Sequence, residues 1–183
     1  MIRCFLPPAL WARDEAELDE AEAKHAVGVL RAQVGDRIGI LDGAGRTGEA
    51  EIVAAHKKRV ALRIVARTTV APFAPRRILA QALVREQKMD WLIQKAAELG
   101  VHEIWPLQTD QAVVRIRPEE AEKKAARWQA IALAACKQSG NPWLPRIAPV
   151  RKLSAALAAL QAGEGAACFG ALQANAVPLP AFF

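Results

Sequence analysis

A chain of 183 residues, 52% apolar and 24% charged, can bury a real core as one large domain or two small ones. No apolar run reaches the roughly 18 to 20 residues of a membrane span, and the opening "MIRCFLPPALWARDE" lacks the form of a signal peptide, so a cytoplasmic address without a membrane partner is expected. The formal net charge is +6, and it is unevenly placed: residues 1–110 hold 16 basic and 15 acidic side chains, 111–152 hold 9 and 3, and 153–183 hold none and 1.

In chain order, "AEAKHAVGVLRAQVGD" predicts a helix with Ala26, Val29 and Leu30 as its apolar stripe and Gly35 as a stop. "GDRIGILDGAG" predicts a strand over 37–41 turning at Asp42-Gly43, and "TGEAEIVAA" and "RVALRIVA" alternate at period two. Short strands so closely spaced predict a small antiparallel β-barrel. "TTVAPFAPRR", residues 68–77, has two prolines and no period, which places a domain boundary there.

Beyond it "ILAQALV" (78–84) reads as a strand buried on both faces, and "QKMDWLIQKAAELG" (87–100) as a helix burying Met89, Leu92, Ile93, Ala96 and Ala97. "VHEIWPL" is a second strand. A second helix starts at Pro118, with Glu119, Glu120 and Glu122 suited to its N-terminal dipole and Trp128, Ile131, Ala132 and Ala135 as its stripe. A strand near Ile147, a helix over 153–161 and a fourth strand, "GAACFGAL", complete an alternating series that predicts a parallel sheet flanked by helices.

Ligands of such sheets bind beyond the carboxyl ends of the strands, here after Val84, Leu107, Val150 and Leu172. No GxGxxG or GxxxxGK[ST] occurs there, which weighs against dinucleotide or P-loop chemistry. The excess of cations in 111–152 suits a phosphate backbone, because counterion release needs several cations tracking one strand; a solvated helix explains it equally well. Gln94 and Glu98 share a helix face beside Lys95, and the loop "KQSGNPWLP" sets Gln138, Ser139 and Asn141 beside Trp143. That loop either reads bases or caps a helix with Trp143 in the core. Cys4, Cys136 and Cys168, odd in number and flanked by apolar residues, suit buried thiols, and the spacing of His25, His56 and His102 gives no metal site.

Four stretches, "HAVGVLRAQVGDRIGILDGAGR" (25–46), "EQKMDWLIQKAAELGVHEIWPL" (86–107), "RWQAIALAACKQSGNPWLPRIAPV" (127–150) and "FGALQANAVPLP" (169–180), follow one another in an order and spacing that resembles one family. It is the RsmE-type 16S rRNA uridine N3-methyltransferases of the SPOUT class. The resemblance implies an α/β protein with a small N-terminal β-barrel: a PUA-like RNA-binding domain over 1–70, then a SPOUT-type α/β methyltransferase domain over 71–183. It implies S-adenosyl-L-methionine as cofactor, bound in a trefoil knot, 16S rRNA of the 30S subunit as partner, and a homodimer when full length. Transfer to N3 requires that its proton be lost, so a base or an anion-stabilising field is needed.

By resemblance and position, Arg3, His25, Arg31, Lys57, Lys58, Arg85, Lys88 and Lys95 are expected to contact RNA. Gln94, Glu98 and Gln138 are the catalytic candidates, and Ala171, Leu172 and Gln173 would form one wall of the cofactor site. Two departures stand out. Lys137-Gln138 occupies the place of an acidic residue followed by glutamine, with Asn141 and Pro142 where an arginine is expected. The family's GPEGG loop and LGxRILRxET stretch are absent, so the chain is expected to be truncated before the knot and inactive alone. Two rival readings are a non-catalytic rRNA-binding or ribosome-assembly protein, and an unrelated α/β enzyme for a small phosphorylated ligand.

Overall fold

A computed structural model of the chain describes residues 1–161 and 166–170. Strands β1 (Arg3–Phe5), β2 (Glu15–Leu18), β3 (Arg37–Leu41), β4 (Arg46–His56) and β5 (Arg59–Thr69) make one sheet in the order β1-β3-β4-β5-β2. Every pairing is antiparallel except that of β1 with β3. The expected all-antiparallel barrel is therefore a curled sheet with one parallel pair and with β1 and β2 as its edges.

Period-two alternation drives this sheet: Ile38 and Ile40, Ala50 and Ile52, and Val60, Leu62 and Ile64 all point into one core with Leu6, Trp11 and Leu18. Register shifts between Glu49 and Ala50 and between Ile52 and Ala54 bend the long β4–β5 pair. The turn after β3 is organised by Asp42, whose carboxylate accepts from the amides of Ala44 (2.8 Å) and Arg46 (2.9 Å). Gly43 and Gly45 take φ of 73° and 93°, a region open to glycine at little cost.

Asp19 caps helix α1 (Glu20–Lys24) by accepting from the Glu22 amide at 2.8 Å. The helix then widens into a π-helical turn over His25–Val29. This overturns the expected stripe: Ala26 is buried, but Val29 and Leu30 are 66% and 38% exposed. A helical period places side chains correctly only while the helix keeps 3.6 residues per turn.

The second unit comprises β6 (Ile78–Ala82), α2 (Glu86–Glu98), β7 (Glu103–Gln108), α3 (Pro118–Ser139), β8 (Arg146–Ile147), β9 (Arg151–Lys152) and α4 (Leu153–Gln161). All four strands are parallel, with β6 on one side of β7 and β8 and β9 on the other. Alternation along β7 divides two cores. Ile104 joins Met89, Ile93, Trp128 and Ala132 under α2 and α3, while Trp105 and Leu107 meet Ala156 of α4. Two sequence expectations change here. Strand β6 lies at the edge of the described sheet with Ala80 exposed, so it is not covered on both faces. Residues 166–170 of the expected fourth strand are exposed and carry no strand, and the remainder of that run lies outside the described residues.

The two units are joined by more than their linker. Helix α3 ends on Gly140 at φ 83°, and the loop that follows turns back onto the first sheet. Gly45 donates to the Pro142 carbonyl and Leu144 to the Gly43 carbonyl, both at 3.0 Å. The Trp143 indole donates to the Val70 carbonyl (3.0 Å) and lies so close to Gly45 that a Cβ there would fall 2.2 Å from the ring. Lys137 pairs with Glu22 at 2.5 Å, and Glu22 also accepts from the Phe5 amide at 2.9 Å. The two units therefore meet through a polar and aromatic joint.

Candidate nucleic-acid interface

In a parallel sheet the strands run one way and the packed helices return the other. Glu86 of α2 pairs with Lys124 of α3, and Asn141 after α3 donates to the Ala97 carbonyl near the end of α2, so the two helices run side by side in the same direction. Their starts therefore lie at the carboxyl edge of the sheet and their ends at the amino edge. Arg85 and Lys88, exposed at the start of α2, occupy the carboxyl edge where ligands of such sheets bind. Arg117 stands at the start of α3 on that edge, and neither helix has a side-chain cap on its first amides.

Gln94, Lys95 and Glu98 are brought together farther along α2. Glu98 accepts from Gln94 at 2.9 Å and from Lys95 at 2.7 Å. The hydrogen bond from Lys95, and after it that from Gln94, holds the Glu98 carboxyl below its usual range. Gln94 also lines an open groove of about 680 Å³ between α2 and α3, with Trp91, Ile131 and Ala134. Gln138 is exposed at the end of α3, and this amino-edge trio lies opposite the carboxyl edge that holds Arg85 and Lys88.

Arg3 meets Gln138, but through the backbone: its guanidinium donates to the carbonyls of Lys137 (3.3 Å) and Gln138 (3.2 Å), capping α3. The loop "KQSGNPWLP" caps the helix, as in the second of its two sequence readings, but Trp143 is half-buried and belongs to neither core. Ser139 donates to the Ala135 carbonyl, Asn141 is buried, and Trp143 packs at the joint. Lys137, standing where an acidic residue was expected, is engaged by Glu22 of the first unit. Sequence spacing gave no sign of the Arg3 and Lys137 contacts, because their partners lie more than 100 positions away.

His25 and Arg31 are exposed on and just after the π-helical turn. Lys57 and Lys58 occupy the β4–β5 turn, and Lys58 reaches Glu20 (3.3 Å), which also holds Lys24 (2.7 Å), so this turn lies against α1. Hydrogen bonds from Lys24 and then Lys58 keep the Glu20 carboxyl low. Six of the eight RNA candidates thus form two groups, Arg85 and Lys88 at the sheet's carboxyl edge and His25, Arg31, Lys57 and Lys58 around α1, whereas Arg3 caps α3 and Lys95 is paired with Glu98. Ala171, Leu172 and Gln173 lie outside the described residues.

The basic segment 111–152 proves less available than its composition implies. Lys124 and Arg127 pair with Glu86, Arg127 also with Asp90, Lys137 with Glu22 and Arg146 with Glu103. Glu103 is buried, which pushes its carboxyl up, but hydrogen bonds from Trp105 and Arg146 and the charges of Arg146 and Arg76 outweigh burial and hold it low. Arg151 lies 4.6 Å over the Trp105 ring. Cys4 and Cys136 are buried, and burial above all pushes both thiols up to about 12; Cys168 is exposed, contrary to expectation.

A curled β-sheet packed on a parallel α/β unit, with cations on both, makes this an α/β protein with the two-part architecture that the resemblance implies. Comparison with known proteins identifies the kind. Residues 72–179 match the model of an RNA methyltransferase domain, and residues 18–65 that of an RNA methyltransferase PUA domain. Ribosomal RNA small subunit methyltransferase E of Bacillus subtilis is 31% identical over 141 residues, covering 76% of this chain and 55% of the relative. The protein of the same name from Synechocystis is 31% identical over 132 residues, covering 72% of this chain and 42% of the relative. The crystal structure of the Neisseria gonorrhoeae enzyme of that name, bound to S-adenosyl methionine, superposes with a TM-score of 0.78 at 33% identity, covering 86% of this chain and 65% of that one. The chain belongs to the RNA methyltransferase family, in the RsmE-type group that the sequence resembled. It spans about half the length of these curated relatives.

Proposed function

We propose that the chain is the RNA-gripping and scaffolding portion of a cytoplasmic, S-adenosyl-L-methionine-dependent methyltransferase that modifies N3 of a uridine in 16S rRNA of the 30S subunit, working as a homodimer when full length. The observation that carries this reading is that both family models match in the same order as the two structural units, which pack on each other in one chain. The units over 1–70 and 71–183 then divide the work: the first holds RNA, and the second positions the target uridine. Arg85 and Lys88 face phosphates at the carboxyl edge, and His25, Arg31, Lys57 and Lys58 do so around α1.

Glu98 is ill suited to proton removal, since a carboxylate held low is a weak base. S-adenosyl-L-methionine supplies an activated methyl group, so alignment of N3 would carry much of the rate. The 183 residues are proposed to transfer no methyl group alone, because they cover 55% of the Bacillus subtilis relative.

Labelled methyl transfer to 30S particles, followed by nucleoside mass spectrometry, tests this. The full-length protein should produce 3-methyluridine, and the 183-residue chain should bind rRNA without producing it. Methyl incorporation by the chain alone would refute its inactivity. Full-length protein that binds rRNA and never methylates it would favour the assembly-factor reading.

A further inference from the structure

We propose that the π-helical turn His25–Val29, with its exit through Leu30 and Arg31, is a wedge for single-stranded RNA, setting bases against Val29 and Leu30 and phosphates against Arg31 and Lys57. The inference rests on the reading that the partner is RNA. Folding gives no reason for the exposure seen here: Val29 is 66% exposed, Leu30 38% and Val34 61%, and all three lie within six residues. Single exposed apolar residues are ordinary, but a run of them on a defined turn marks a surface that something covers. The turn itself is well held. Ala26 is fully buried beneath it, Leu30 donates to the His25 carbonyl (3.1 Å) and Ala32 to the Ala26 carbonyl (2.9 Å).

Arg31 is the one non-glycine residue with positive φ among the described residues, at 57°. Arginine gains nothing from that conformation, whereas glycine would adopt it freely. A cation kept there beside exposed apolar side chains fits a ligand with both anionic and flat apolar parts.

Charge selects the occupant. Of the carboxylates nearby, Glu20 is shared by Lys24 and Lys58, Asp19 accepts from the Glu22 amide, Asp36 accepts from the Gln33 amide, and Glu22 is turned to Lys137. Arg31 and Lys57 have no carboxylate within 4 Å among the described residues. Single strands fit better than a duplex, because base faces are open to apolar side chains only when unstacked.

The test measures binding of the 183-residue chain to a single-stranded oligouridylate of about 20 nucleotides and to an RNA duplex of similar length, across a salt series. The double variant V29S/L30S should weaken single-strand binding about tenfold while leaving duplex binding and the salt slope unchanged. R31G, which suits the backbone and removes the charge, should melt no lower than the parent yet lower the single-strand slope by about 0.7. Binding by both variants indistinguishable from the parent would overturn the wedge and leave the proposed function standing. Failure of the parent to bind either RNA at low salt would overturn the wedge together with the RNA-gripping role. A doubling of mass in the parent that V29S/L30S abolishes, without any effect on RNA, would assign the patch to a second copy and overturn the proposal.

Discussion

Replacing Glu22 with alanine tests whether the two units are held as one body. The Glu22 and Lys137 side chains are 9% and 15% exposed and meet at 2.5 Å, while the second Glu22 oxygen accepts from the Phe5 amide. Breaking a buried pair by removing one partner costs about 3–5 kcal/mol, and an amide left without its acceptor adds to that. Lys137 retains some access to water, so we place E22A at about 3 kcal/mol. In a chain of this size that lowers the melting temperature by roughly 6–12 °C. Circular dichroism melts and urea titrations would read it, with E17A at the exposed Arg59 pair as a control that should barely shift. The apolar double variant E22L/K137M should recover much of the loss, since no uncompensated charge remains. If E22A melts within about 2 °C of the parent, the pair behaves like a surface ion pair and the joint is not held by it.

Three further outcomes follow from the same geometry. G45A sets a Cβ 2.2 Å from the Trp143 ring at a φ of 93°, and should cost about 2–4 kcal/mol by urea midpoint. Glu103 has a folded pKa below its unfolded value of about 4.3, so its stabilisation is complete above that value and is lost as pH falls through the lower, folded one. The parent should therefore lose urea resistance more steeply than E103Q does as pH falls below about 4.3. Iodoacetamide at pH 8 should add one label quickly, at exposed Cys168, and reach buried Cys4 and Cys136 only after denaturation, as intact mass would show.

Elements with a strong local signature were legible in the sequence. Strand β3 spans 37–41, α3 opens at Pro118 and α4 spans 153–161, each as periodicity and helix signals implied. Strands β1 and β2 gave no such signal, being three and four residues long in a stretch broken by prolines. The joint was invisible for another reason. Arg3, Lys137 and Trp143 are typical surface or binding types, and only tertiary packing shows that one caps a helix, one pairs with Glu22 and one fills the space beside Gly45.

That packing also changes what the charge pattern means. A count along the chain credits residues 111–152 with nine cations, yet four of them pair with carboxylates from residues 1–110. Two of those pairs fix α3 to α2, one joins α3 to α1 of the first unit, and one anchors β8 to β7. Part of the uneven charge is thus taken up by internal packing: three of these pairs hold the second unit together and one ties it to the first. Under the proposed function, phosphate would meet cations outside those pairs, among them Arg85 and Lys88 at the sheet edge and Arg31 and Lys57 near α1. An RNA strand touching both groups would be held in register by the rigidity of the joint, so weakening the Glu22–Lys137 pair should blunt RNA binding although neither residue faces the RNA.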